Sequence, residues 1–296
     1  MVHSPAAETT QQARLVPILF TGTIFLSAAL LFFVQPLFAK IVLPVIGGSP
    51  SVWTTAMLFF QSVLLAGYLY AHFSTRYLTP KRQIMVHAAI WVGALYFLPP
   101  ALPAGWQLDP TAPIAWQTLG LFALGVGVPF ALLSSNAPLI QSWYAKSGGP
   151  SADDPYFLYG ASNLGSLLAL MAFPLLAEPL FGASEISRGF AYGFVTLGVG
   201  LLACGLSASN TPLPTRAERH EAAPAPAVST LAFWLILAFV PSSLMLAVTS
   251  KITTDVGAVP LIWVIPLALY LLSFVVAFRR RSPIQGLWFT QACQLI

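Results

Sequence analysis

The side chains able to do chemistry gather in one stretch, Ser134 to Pro174, where Asn136, Gln141, Lys146, Asp153, Asp154, Tyr156, Tyr159, Ser162 and Asn163 interrupt or border two long apolar runs. Amides, phenols and hydroxyls of this kind bind by hydrogen bonding; they do not make a nucleophile with its base. The chain holds no Gly-x-Ser-x-Gly elbow, no Walker loop and no carboxylate pair inside an apolar run, so no catalytic residue is assigned. Cys204 and Cys293 lie far apart without CxxC or Cys/His spacing, and His72 and His87 have no i,i+4 His or carboxylate companion. Neither a metal site nor a cofactor is expected on such spacing. The two histidines are read as packed or interfacial side chains, and Gly125, Gly127, Gly198 and Gly200 as packing glycines.

The elements that must hold these groups follow from composition. Of 296 residues 57% are hydrophobic and only 7% charged, with a mean hydropathy of +0.79, whereas a soluble domain carries roughly a quarter charged residues. Apolar runs of the roughly 20 residues needed to cross a bilayer recur along the chain. The expected fold is therefore all-α and polytopic, with about eight transmembrane helices. Residues 1–14 read as a polar tail without the features of a secretory signal. The first span covers Leu15 to Val34, with Pro36 bending or stopping it and Pro44 and Gly47-Gly48-Ser49-Pro50 forming a turn.

Further spans are expected over Val52–Phe73, Ile84–Leu98, about Pro113 to Leu139 with Pro129 inside, Asp154-Pro155 to Ala177, and Ile186–Leu206. These make residues 15–206 a six-helix bundle. Residues 207–229, rich in Pro and Ala, read as a solvated linker. Residues 230–278 then supply spans over Leu231–Ser250 and Val259–Phe278, and 279–296 a basic flank followed by the start of a helix cut short.

Sorting the thirteen Lys and Arg residues between alternate loops places ten on one side, among them Arg76, Lys81, Arg82, Arg216 and Arg279–Arg281. The other three are Lys40, Arg188 and Lys251. This asymmetry predicts both termini on the cytoplasmic side and accounts for the net charge of +4 without invoking nucleic acid. A faint internal echo, Pro36-Leu37 before Gly47-Gly48-Ser49-Pro50 and Pro138-Leu139 before Gly148-Gly149-Pro150, suggests inverted three-helix repeats of the major-facilitator kind.

Within the fifth span Ala161, Gly165 and Ala169 form a four-residue seam that lets another helix approach. Beside it run Tyr156, Tyr159, Asn163 and Ser166, either a polar cavity lining or interhelical glue. Ser134, Ser135 and Asn136, with Pro138 and Gln141 a turn further on, read either as a broken helix that could hold a polar ligand or as an ordinary helix end. Lys251 and Asp255, four apart between spans seven and eight, read as a surface ion pair or a gate; Lys40 reads as an interfacial, snorkelling lysine. The candidate ligand-lining residues are thus Asn136, Gln141, Tyr159, Asn163, Lys251 and Asp255.

The phrases FVQPLFAKIVLPVIGGSPSVWTTAMLFFQ, LLSSNAPLIQSWYA, DPYFLYGASNLGSLLAL and FVPSSLMLAVTSKITTDVGAVPLIWVIPLALYLLSF resemble the membrane portion of bacterial fused major facilitator/spermidine synthase proteins, over nearly all of residues 15–278. The resemblance implies a bacterial inner-membrane, major-facilitator-like bundle. In that family an aminopropyltransferase domain of methyltransferase type follows, with a Gly-rich cofactor loop and acidic residues; none of these has a counterpart in this chain. The expectation is a fragment or a shortened gene, serving as the transporter-like module of a spermidine-synthase-like fusion. Two other readings stand beside it: a membrane-bound aminopropyltransferase or related enzyme whose soluble domain is missing, and a stand-alone transporter of a small polar solute. The expected partners are the bilayer, such a solute, and a soluble aminopropyltransferase-like domain or protein.

Overall fold

The computed structural model describes residues 5–150, 152, 155, 157–210, 226–256 and 260–277, and among them every regular element is helical. The chain runs through α1 (Pro5–Ile46), α2 (Pro50–Tyr77), α3 (Pro80–Ala94, prolonged by a 3₁₀ turn, Leu95–Phe97) and α4 (Ile114–Phe122). A π turn (Ala123–Gly127) joins α4 to α5 (Val128–Ala145). Then come α6 (Phe157–Ala172), a second π turn (Phe173–Ala177), α7 (Glu178–Leu180), α8 (Ala183–Asn210), α9 (Val228–Val256) and α10 (Pro260–Ala277). Asp153, Asp154, Tyr156, linker residues 211–225, Arg279–Arg281 and the stretch 283–296 with Cys293 lie outside the described residues.

Six continuous helical segments are long and apolar enough to cross a bilayer: Leu15–Ile46, Ser51–Tyr77, Ile114–Ala145, Phe157–Leu180, Ala183–Ser209 and Val228–Thr249. Their outward faces are greasy, with Leu65, Phe73, Leu124, Val199, Leu235 and Phe239 all exposed. Water does not tolerate such a surface; hydrocarbon does. The protein is a multi-pass membrane protein.

Prolines end fewer helices than the sequence predicts. Pro36 and Pro44 both lie inside α1, so Pro36 does not stop the first span. The helix ends instead at Gly47, whose φ of +78° and amide donating to the Leu43 carbonyl at 3.0 Å make a left-handed cap. Likewise Pro138 sits within α5, which continues to Ala145. Neither reading of Ser134–Gln141, a broken helix or a helix ending at Pro138, holds, since the helix is continuous there, and the irregular turn of that span lies upstream at Ala123–Gly127, just before Pro129. Neighbouring helices can re-satisfy backbone groups freed by Pro in a membrane span, which is why propensities measured in water overstate these breaks.

Packing pairs α1 with α6 and α8, α2 with α5, α3 with α8, and α10 with α6. Hydrocarbon gives helices no hydrophobic reason to associate, so contact depends on close approach through small residues. At Gly165 of α6, a Cβ would run into the carbonyl oxygen of Phe25 in α1; this is the use of the Ala161–Gly165–Ala169 seam. At Gly67 of α2, a Cβ would lie 2.9 Å from the Ala131 carbonyl oxygen and 2.5 Å from Ser134 Cβ of α5. Between α1, α2 and the α4–α5 segment, Phe38, Phe59, Phe60, Phe122 and Phe130 pack edge to face with centroids 4.8 to 5.6 Å apart.

The loop before α4 is locked by one carboxylate and one amide. Asp109 Oδ1 accepts from the Thr111 amide at 2.8 Å and hydroxyl at 2.6 Å, while Gln117 Oε1 accepts from the Asp109 amide at 2.8 Å. The Thr111 hydroxyl and amide favour the ionised form and hold the Asp109 carboxyl below its usual range. Its contribution is therefore present above the ordinary carboxylate pKa and is lost as pH falls through the lowered value.

Gly165→Ala is expected to destabilise the bundle by about 1–3 kcal/mol through overpacking. Gly160→Ala, on the same helix with nothing within 4 Å of the added Cβ, is expected to be neutral or slightly stabilising. Reversible unfolding in mixed micelles followed by circular dichroism compares the two. For the loop, hydrogen exchange at the Thr111 amide is expected to be slower in the wild type than in Asp109→Asn at neutral pH, with the gap closing as pH falls through the lowered Asp109 value.

Candidate functional site

Most hydroxyls inside the bundle are spent locally. Thr23, Thr55, Thr118, Ser134 and Ser166 donate to the carbonyl four residues back, the usual way a hydroxyl is satisfied within a helix. Among the described residues a few groups reach between helices: Cys204 Sγ of α8 lies 3.4 Å from Thr23 Oγ1 of α1, and a larger set meets at α3. Its residues Gln83, His87 and Trp91, at i, i+4 and i+8, share one face.

Gln83 is fully buried; its Oε1 accepts from Trp143 Nε1 of α5 at 2.8 Å and its Nε2 donates to the Leu78 carbonyl at 2.8 Å. One turn on, His87 Nε2 lies 3.1 Å from Asn136 Oδ1, and Asn136 Nδ2 donates to Ser27 Oγ of α1 at 2.9 Å. The other imidazole nitrogen, Nδ1, lies 3.4 Å from the Tyr70 hydroxyl of α2. With Asn136 oriented this way its Oδ1 can only accept, so the proton sits on Nε2 and Nδ1 accepts from Tyr70. A further turn on, Trp91 stacks on Phe194 of α8, centroids 4.0 Å apart. Asn136 is wholly buried, and Ser27 and His87 nearly so. One chain of hydrogen bonds thus ties α1, α5, α3 and α2.

The structure distributes the predicted residues rather than collecting them. Asn136 is at the centre of this junction, in mid-helix, with both ends of its amide engaged. Gln141 and Asn163 are half-buried and, among the described residues, take no hydrogen bond from the protein. Tyr159 is partly exposed on α6, within electrostatic reach of Tyr68 of α2. Lys251 and Asp255 form an exposed ion pair, Nζ to Oδ2 3.0 Å, in the last turns of α9. Lys40 has an unpredicted partner: Glu178, at 3.4 Å, reached because the π turn and α7 extend the fifth span toward α1. No cluster of three metal-ligating side chains occurs among the described residues.

His87 and Gln83 were not singled out as a pair from the sequence. Their four-residue spacing with Trp91 was the available signal, and it marks a face turned to other helices. No protein family, no curated protein and no solved structure matches this chain.

A double-mutant cycle on Asn136→Ala and His87→Ala is expected to give a coupling of about 0.6 kcal/mol, up to about 1.7, in micelle unfolding, as polar pairs between membrane helices do. A coupling of zero would mean that the 3.1 Å contact does no energetic work.

Proposed function

We propose that this protein is a transporter-like membrane module with the first half and the beginning of the second half of a major-facilitator arrangement, belonging with spermidine-synthase-like fusions and handling a small polar solute. In this reading α3 with its 3₁₀ turn and α10 are crossings too, giving eight spans, with both termini on the cytoplasmic side of a bacterial inner membrane.

The observation that carries the architectural part is the pattern of helix pairs. An inverted three-helix repeat exchanges spans one and four, two and five, three and six. That exchange turns the pair one–five (α1 on α6) into four–two (α5 on α2), and one–six (α1 on α8) into four–three (α5 on α3); all four pairs are packed. It leaves three–six (α3 on α8) and one–four (α1 on α5) unchanged, and these are packed as well. The glycine crossings follow the same exchange, Gly165 of span five on span one and Gly67 of span two on span four.

Support for a solute comes from Gln141 and Asn163. Half-buried amides without a protein partner are satisfied by water or by something that replaces it, and these two lie on spans four and five. Asn136 is left out of the lining because both ends of its amide are committed.

Topology and solute are tested separately. With native cysteines replaced by serine, a membrane-impermeant maleimide applied from outside is expected to label Ser49→Cys and Asp109→Cys but not Thr79→Cys or Ser147→Cys. Labelling of Thr79→Cys from outside would sink the eight-span arrangement. Mass spectrometry of the gently purified protein is expected to find a small polar molecule that Asn163→Leu releases without lowering thermal stability.

A further inference from the structure

Between α3 and α8 lies a half-open cleft of about 180 Å³. On α3 it is lined by Ile84, Ala88, Trp91 and Leu95, and on α8 by Gly198 and Leu202. The helices run antiparallel here, since a Cβ on Gly205 would meet Ile84 and one on Gly198 would meet Trp91. Val92, Val195 and Val199 at its mouth are exposed, so in a membrane the cleft opens sideways into lipid. His87 also borders it, but that imidazole is engaged by Asn136 and Tyr70. The Trp91 indole N–H has no acceptor among the described residues and is packed over Gly198, 2.5 Å from where a Cβ there would lie. The walls therefore offer apolar contact and almost nothing for water to bind.

A volume of this size accepts about six carbons, as a 150 Å³ apolar cavity accepts benzene while staying dry. Along α3, Ile84 to Leu95 spans about 16 Å, half of a hydrocarbon core about 30 Å thick. The cleft has the length of one leaflet's acyl chain. What stands at its end selects the lipid. The lining positions 84, 88, 91 and 95 continue back by one turn to Lys81, which is exposed and has no ion pair among the described residues. Lys81 is also the second residue of α3. Pro80 before it has no N–H, and Thr79 provides no side-chain cap, so the first amides of α3 present an uncapped, partly positive helix terminus. A cation and a free helix N-terminus at the headgroup end of an apolar, leaflet-long cleft form the complement of a phosphate joined to an acyl chain.

We propose that this cleft is a binding site for an anionic phospholipid, a segment of about six carbons of one acyl chain lying between α3 and α8 with the rest in the surrounding lipid, and the phosphate at Lys81 and the α3 N-terminus. It does not depend on whether the protein transports a solute.

The test is the thermal stability of the delipidated full chain in neutral detergent, titrated with phosphatidylglycerol or with phosphatidylcholine of the same chains. Phosphatidylglycerol is expected to stabilise at lower concentration. Lys81→Gln is expected to raise the concentration needed by about fivefold, the effect of one basic residue at a lipid surface. Arg82→Gln, one residue off the cleft face, is expected to change it by less than about twofold. Ala88→Phe, which fills the cleft and leaves Lys81 in place, is expected to abolish the preference. Equal potency of the two lipids, an unchanged response in Lys81→Gln or in Ala88→Phe, or the same stabilisation by inorganic phosphate alone would each overturn the proposal.

Discussion

Hydrocarbon sets the terms on which this bundle holds together. Apolar side chains gain nothing by leaving lipid for one another, and a polar group inside the bundle must find its partner there. Asn136 meets that demand for four helices at once. Its carboxamide has no exposed surface, and it is spent on α1 through Ser27 and on α3 through His87, which reaches on to Tyr70 of α2. Because nearby hydroxyls are turned back on their own helices, little else competes for these atoms. The junction fixes the rotation of α3 and α5 about their axes, and the glycine crossings fix how closely α1 meets α6 and α2 meets α5. Rotation and distance together define the arrangement of α1, α2, α3, α5 and α6 seen here.

Six of the eight expected spans and the seam on α6 were legible in the sequence because both are local facts. A run of apolar residues of sufficient length, or small residues every four positions, has its meaning within a single helix. The partner of the seam, the Phe25 carbonyl, had no local trace. Asn136 is the instructive case. By aqueous rules Pro138 ends or breaks the helix, which puts Asn136 near a helix end, either in a broken helix open to a ligand or at an ordinary terminus. Once the helix runs on to Ala145, the same residue lies in mid-span and becomes a link between helices. His87 lacks a metal companion on its own helix; its partner, Asn136, is 49 residues away in sequence.

The two π turns show a related limit. Each inserts an extra residue per turn and so re-aims everything after it. After Phe173–Ala177, this extension places Glu178 beside Lys40; after Ala123–Gly127, α5 presents Asn136 to α3 and Ser134 to Gly67. A period of 3.6 counted through these segments assigns later residues to the wrong face. Periodicity therefore located the helices better than it located what their far ends touch.

α3 gathers both consequences in one short helix. Gln83 and His87 hold it to α5 through paired polar atoms, and the adjacent face, from Ile84 to Leu95, forms a wall of the cleft toward α8. The orientation of that wall is thus set by hydrogen bonds buried behind it, not by whatever lies in front. A chain entering the cleft meets a surface already in place, and the entropy of ordering α3 has been spent in folding. Preorganisation of this kind lets a single cation and contact along a short acyl segment suffice to hold a lipid.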